Sequence, residues 1–184
     1  MAADGSALRR LETERLTGYQ VEAIRSLLTA AFAGDGDGLT DEDWAHAVGG
    51  MHFLLTRDDA LLAHAAVVAR ELHLGDRPVR CGYVEAVATA GAHQGSGLGS
   101  RVMADVGAYI QERFQLGALS TGAPRFYERL GWLRWQGETW VRTPAGPVRT
   151  PDDDGAILVL PVASFAAPDL ALPISCEWRP GDVW

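Results

Sequence analysis

The chain has 184 residues, 47% of them apolar and 22% charged, with a net charge of −8. That length and composition describe one folded globular domain with a sizeable core. The acidic balance argues against nucleic acid, which wants a basic face, and favours attraction of a polycation.

The N-terminal stretch "MAADGSALRRLETERL" is charged and lacks the apolar core of a signal peptide. Thr17 to Phe32 follows as an amphipathic helix, with Thr17 and Gln20 in a capping-box pattern. Its apolar face is Val21, Ile24, Leu27, Leu28, Ala31 and Phe32, and Gly34 can end it. The stretch "GDGDGLTDEDW" then carries Asp35, Asp37, Asp41, Glu42 and Asp43 with no basic residue among them. Such a run holds a metal, a cationic ligand or only water. A calcium loop starting at Asp35 would put Leu39 and Thr40 at its fifth and sixth positions and His46 at its twelfth. Those positions need an oxygen ligand, Gly and Glu, so no metal is expected. Thr40 caps a short helix from Asp41 to Val48, which Gly49 and Gly50 stop.

"MHFLLTR" and "ALLAHAAVVARELHL" flank a turn at Asp58-Asp59, and "GDRP" leads into "VRCGYVEAVATA". These read as three antiparallel strands. Cys81 in the third strand and the distant Cys176 are too few for a disulfide framework or a zinc site. Helical spacing resumes from Leu98 through Val102, Val106, Tyr109, Ile110 and Phe114. "LGALST" is a strand, Pro124 opens a helix that Gly131 ends, and "WLRWQ", "TWVRT" and "AILVLPV" supply the last strands. Pro161, Pro168 and Asp169 interrupt the most apolar tract, so it is no membrane span. The expectation is a cytoplasmic α+β protein with reduced thiols.

The segment "VATAGAHQGSGLGSRVM" is a strand, a glycine-rich turn and a helix start. Backbone N–H groups at such a helix start converge on an anion, although the same glycines also serve a plain turn. All 16 basic residues are Arg, and the sequence contains no Lys. That excludes Schiff-base chemistry and the lysine-bearing nucleotide loop. Gln94-x-x-Gly97-x-Gly99 resembles the Q/R-x-x-G-x-G/A acetyl-CoA signature of the GCN5-related N-acetyltransferases (GNAT). "APRFYERLGW", Ala123 to Trp132, looks like that family's A-x-x-F-Y-x-x-x-G-F segment. The short blocks "AFAGD", "DEDW", "GGMH", "RCGYVE", "LGALS", "RTPDDDG" and "GDVW" resemble the aminoglycoside 2′-N-acetyltransferases of mycobacteria and related bacteria.

The resemblance implies a GNAT fold: a central mixed, mostly antiparallel sheet flanked by helices. It also implies acetyl-CoA as donor, an aminoglycoside acceptor, a role in antibiotic resistance and a homodimer. Glu85 becomes the general base acting through water, and Tyr127 the general acid. Without the resemblance, Glu85 is a carboxylate on a wet strand face and Tyr127 a packed helix tyrosine. Cys81 has no base visible beside it, so direct attack is expected in place of an acyl-enzyme. The backbones of Val87, Ala88 and Thr89 should hold the pantetheine arm and acetyl carbonyl. Gln94, Gly95, Ser96, Gly97, Leu98 and Gly99 should hold the pyrophosphate. Substrate contacts map onto Asp35, Asp43, Glu85, Ala86, Ser120, Asp153, Asp182 and the carboxylate of Trp184. Two alternatives stay open: acetyl transfer to another aminosugar, polyamine or peptide amine, and a non-catalytic module that binds acetyl-CoA or sequesters drug.

Overall fold

The computed structural model describes residues 5–34 and 39–184, so Asp35 and Asp37 lie outside the described residues. The fold is α+β, with a mixed, mainly antiparallel sheet and helices packed on it. It divides into two compact units, Met1–Val68 with Val84–Val106, and Ala69–Tyr83 with Gly107–Trp184.

In the first unit, strand β1 (Ala7–Glu12) pairs antiparallel with β2 (Met51–Arg57), and β2 pairs antiparallel with β3 (Ala60–Leu74). Asp58 and Asp59 join β2 to β3 at φ 48° and 63°. Positive φ at both central residues makes a type I′ turn, whose twist matches a hairpin. The register starts as Arg57↔Ala60 and Thr56↔Leu61, then shifts by one residue to Leu55↔Ala63 and Leu54↔His64. That bulge puts His52 and His64 on the same face of the hairpin.

Helix α1 (Gly18–Ala31) starts where expected, with Thr17 and Gln20 forming the reciprocal capping box. Its buried stripe of Ile24, Leu27 and Leu28 packs with Leu54 and Ala88. Each such aliphatic side chain contributes about 1.5–3 kcal/mol on burial. Helix α2 (Asp41–Ala47) has a second capping box, between Thr40 and Asp43. The acidic run is partly compensated after all, because Arg25 of α1 pairs with Asp41 at 2.6 Å.

The second unit takes the later part of β3 and the earlier part of β4 (Arg77–Thr89). Its remaining strands are β5 (Leu116–Ser120), β6 (Leu133–Arg134), β7 (Thr139–Thr143), β8 (Gly146–Arg149), β9 (Ile157–Pro161) and β10 (Ile174–Glu177). The strand order is β6-β9-β5-β4-β3-β10-β7-β8. Cys81 to Tyr83 of β4 pair in parallel with Leu116 to Ala118 of β5. The connection is α3 (Leu98–Arg113), as a parallel crossover requires. A Cβ on Gly82 would stand 2.8 Å from Phe114 and 3.0 Å from Ile110, so glycine is what lets α3 lie so close to β4. Helix α4 (Pro124–Glu128) has Pro in its first turn.

Strands β1, β8 and β10 were not anticipated from the sequence. β1 exposes most of its charged side chains, and β8 and β10 are four residues each, too short for alternation to register. Both cysteines are free thiols and fully buried. Among the described residues, no helix is long and apolar enough to cross a membrane.

Candidate active site

β4 is buried continuously from Cys81 to Val84, then becomes half-buried at Glu85, Ala86 and Val87. Ala86 sits at φ 53°, in the left-handed region. An L-residue with a Cβ is disfavoured there by about 1–2 kcal/mol, so its surroundings must hold it. Two contacts do. Its side chain packs against the Ile24–Leu28 cluster, and its carbonyl accepts a hydrogen bond from His64 Nδ1 at 2.8 Å. Glu85, the expected base, is the residue just before this inversion.

Sequence reasoning assigned no role to His52 or His64, and both are fully buried. His64 Nε2 lies 3.0 Å from His52 Nδ1, and His52 Nε2 lies 2.9 Å from Thr13 Oγ1. Thr13 Oγ1 accepts from the Gly49 and Gly50 N–H groups at 2.9 and 3.2 Å. Burial keeps both rings neutral, and one carbonyl then orders the protons of this row. The Ala86 oxygen only accepts, so His64 Nδ1 carries hydrogen and its Nε2 accepts. His52 Nδ1 then donates, and its Nε2 accepts from the Thr13 hydroxyl at 2.9 Å, a closer approach than the 3.3 Å from that hydroxyl to the Gly50 carbonyl. Burial pushes His52 down to about 4, with Glu14 opposing, and pushes His64 down to about 3, assisted by His52 and opposed by the Ala86 carbonyl. The sequence signal was two histidines in facing strands; what it lacked was the register.

After β4, the chain makes a short turn of 3-10 helix, Gly91–His93, and enters the glycine loop. Gly95 and Gly97 have φ of 76° and 86°, so both need glycine's freedom. A Cβ at either would meet nothing within 4 Å, and Gln94 to Gly97 are exposed. The loop is thus open on its outer side and leads directly into α3, sixteen residues long. The first-turn N–H groups of such a helix have no partner within it. An open concavity of N–H donors at the positive end of a helix fits a diphosphate without any Lys. The Gln94 side chain returns to the Thr89 carbonyl at 3.4 Å, tying the loop to the end of β4. Asp43 also lies in this unit, where its Oδ2 accepts from Thr40 N and Oγ1, each at 2.8 Å.

Tyr127, Ser120, Asp153, Asp182 and Trp184 belong to the second unit. Tyr127 is 8% exposed, edge-on to Phe126 and Trp132, and burial pushes its hydroxyl up to about 12. It is therefore protonated at neutral pH and available as a donor. Ser120 is exposed at the end of β5, paired with Ile157 of β9. Burial raises Asp153 above the usual carboxylate range; Thr150 opposes this, while the charges of Asp182, Asp152 and Asp154 add to it. Asp154 behaves differently. Its hydrogen bond from Arg149 and those from Thr139 hold it down at about 2, against a small cost of burial. Asp154 is thus structural, while Asp153 feels the like charges of Asp182, Asp152 and Asp154. The Trp184 indole is 3% exposed and donates to Thr150 Oγ1 at 3.0 Å. Arg70 donates to the Val183 carbonyl at 2.8 Å, fixing the segment before it. Cys81 is fully enclosed; burial raises its thiol far above the ordinary value, Arg70 opposing, so a thiolate nucleophile is disfavoured there.

The family described as "Acetyltransferase (GNAT) domain" matches residues 12–134. An aminoglycoside 2'-N-acetyltransferase from Mycolicibacterium fortuitum is 46% identical over 180 residues, covering 96% of this chain and 91% of that protein. Among solved structures, a GNAT family N-acetyltransferase from Escherichia coli in complex with CoA aligns with a TM-score of 0.67 at 15% identity, over 96% of this chain and 92% of that one. A GCN5-related N-acetyltransferase from Kribbella flavida aligns with a TM-score of 0.58 at 22% identity, and there the match spans 73% of this chain and 34% of that longer one. The structural likenesses establish the fold, and the family match together with the near full-length relative establishes acetyl transfer from acetyl-CoA.

Proposed function

The chain belongs to the GNAT acetyltransferase family, and from that premise we propose that it acetylates the 2′-amine of aminoglycosides. The carrying observation is Asp153, a half-buried carboxylate raised by burial and by its acidic neighbours. A cation placed there relieves both the repulsion and the cost of burial. A polyammonium drug supplies such a cation, and the near full-length likeness to a 2'-N-acetyltransferase points to the same acceptor class. Of the other candidate contacts, Ser120 and Asp182 are exposed and open to a ligand.

Acetyl-CoA supplies an activated acetyl thioester. Gln94 to Gly99 hold its diphosphate through backbone N–H groups, and Val87 to Thr89 align the thioester end. Glu85 removes a proton from the drug ammonium through one water. The amine nitrogen then bonds to the acetyl carbon as the carbon–sulfur bond breaks, and the second proton that the nitrogen sheds passes to the departing thiolate, which leaves as the CoA thiol. Tyr127 donates a hydrogen bond to the departing sulfur. Its hydroxyl, near 12, is a weaker acid than a thiol near 8.5, so it works best as a donor that stabilises developing negative charge. Two copies of the chain form the working assembly in this reading, and drug resistance is its physiological outcome.

A panel of acceptors tests this. Gentamicin, tobramycin and dibekacin carry a 2′-amine and should release free CoA. Kanamycin A carries a 2′-hydroxyl and should not. Mass spectrometry of the product should place the acetyl on the 2′-nitrogen, and equal turnover of kanamycin A would refute the assignment.

A further inference from the structure

The row Thr13–His52–His64 ends on the Ala86 carbonyl, between the expected base Glu85 and the backbone from Val87 expected to hold the acetyl carbonyl. The Ala86 C=O and the Val87 N–H belong to one planar trans peptide and point in opposite directions. Whatever fixes one fixes the other. Ala86 is at φ 53°, where the backbone has no preference of its own to stay. We propose that His64 is a positioning residue: by donating to the Ala86 carbonyl, it aims the Val87 N–H at the acetyl oxygen and sets the exit direction of Glu85. His52 and Thr13 act one step behind. They keep hydrogen on His64 Nδ1 by occupying its Nε2 with a donor. The inference rests on the reading that Val87 and Glu85 serve acetyl transfer.

The protons give the proposal its force. A neutral histidine has two tautomers, and only the one with hydrogen on Nδ1 can hold the Ala86 peptide. Were His52 to reverse, its Nδ1 lone pair would face the Nε2 lone pair of His64 across 3.0 Å. The Thr13 hydroxyl opposes that reversal: its oxygen already accepts from Gly49 and Gly50, and of the two acceptors its hydrogen can reach, His52 Nε2 at 2.9 Å is nearer than the Gly50 carbonyl at 3.3 Å. The row thus carries an orientation from the chain segment before α1 to the peptide at the reaction centre.

Two substitutions separate positioning from simple packing. In His64→Asn, the amide nitrogen falls where Nδ1 was and keeps the donor to Ala86. In His64→Gln, the amide reaches instead toward His52, and the Ala86 carbonyl loses its donor. We expect His64→Gln to lower kcat by about 10–100-fold, the cost of a misaimed donor. The KM for tobramycin should change little. His64→Asn should stay within about threefold of wild type, as retention of the one needed donor implies. Equal losses in both variants, or none in His64→Gln, would overturn the proposal. Imidazole nitrogen NMR of the wild type is the independent arm. It should show both rings neutral with hydrogen on Nδ1, and Thr13→Val should mix the tautomers of His52 and, through it, those of His64. Hydrogen on Nε2 of His64 in the wild type would refute the row whatever the kinetics say. If the wild type acetylates no aminoglycoside, the proposed acceptor fails, while the NMR spectrum still decides the proton order. Should His64→Gln not fold, Thr13→Val carries the test: mixed tautomers with a lowered kcat support the proposal, and mixed tautomers with wild-type kcat overturn it.

Discussion

In the second half of β4, burial relaxes at Glu85 and the backbone turns left-handed at the next residue, Ala86. Glu85→Gln keeps shape and hydrogen-bonding bulk but cannot take a proton. Its kcat should fall by about 10²–10⁴-fold, with acetyl-CoA affinity by calorimetry unchanged; an undiminished rate would return Glu85 to an ordinary surface role. The sequence could suggest Glu85 because a family motif surrounds it. It could not suggest His64, because the role depends on which peptide its ring meets. The same histidines make a pH prediction whose sign follows from their buried neutral state. Their folded values, about 4 and about 3, lie below 6.5, so above pH 6.5 their contribution is complete. As pH falls below 6.5, the unfolded chain takes up protons that the folded chain refuses. Stability should then drop by about 1.4 kcal/mol per pH unit for each histidine, until the folded rings titrate. The neighbouring charge is Glu14, which favours protonation of His52 and softens its share. Urea titrations at pH 7, 6 and 5 should show this slope, and His64→Asn should show a shallower one.

At the scale of elements, hairpin β2–β3 decides more than any other. An Asp58-Asp59 type I′ turn with uninterrupted pairing would continue as Arg57↔Ala60, Thr56↔Leu61 and so to Phe53↔His64. His52 and His64 would then face opposite sides of the sheet. The shift between Leu55 and Thr56 changes the parity and brings them together. The turn was legible in the sequence and the bulge was not, because a bulge is specified by how both faces of the sheet pack and leaves no fixed residue signature. Helices α1 and α2 were legible to within a residue, since each carries its own capping chemistry at Thr17 and Thr40. β1 and β10 were not, because their place is set by the strands they join: β10 lies between β3 and β7. The turn itself can be improved. Asn and Gly tolerate positive φ better than Asp, so the double substitution Asp58→Asn with Asp59→Gly should stabilise the protein by about 1 kcal/mol. The urea midpoint should rise at constant slope. A fall would show that the two carboxylates do something the turn geometry does not explain.

For the whole molecule, the net charge of −8, from 24 acids against 16 arginines, makes a kinetic statement. A polycationic acceptor is drawn in by that field, and salt screens it. kcat/KM for tobramycin should fall several-fold, roughly 3–10-fold, between about 20 and 200 mM NaCl, whereas the KM for the anionic acetyl-CoA should not rise in parallel; insensitivity to salt would place recognition in short-range contacts alone. Burial of Cys81 and Cys176 has its own outcome at this scale. Both thiols are sealed in the second unit and disfavour ionisation, and no Lys offers an ε-amine to compete for an electrophile. A thiol reagent therefore waits on the protein rather than on its own chemistry. Its rate becomes a clock that ticks once per opening of the second unit. Read with and without acetyl-CoA, that clock would report how often the half of the chain holding Tyr127 breathes between turnovers.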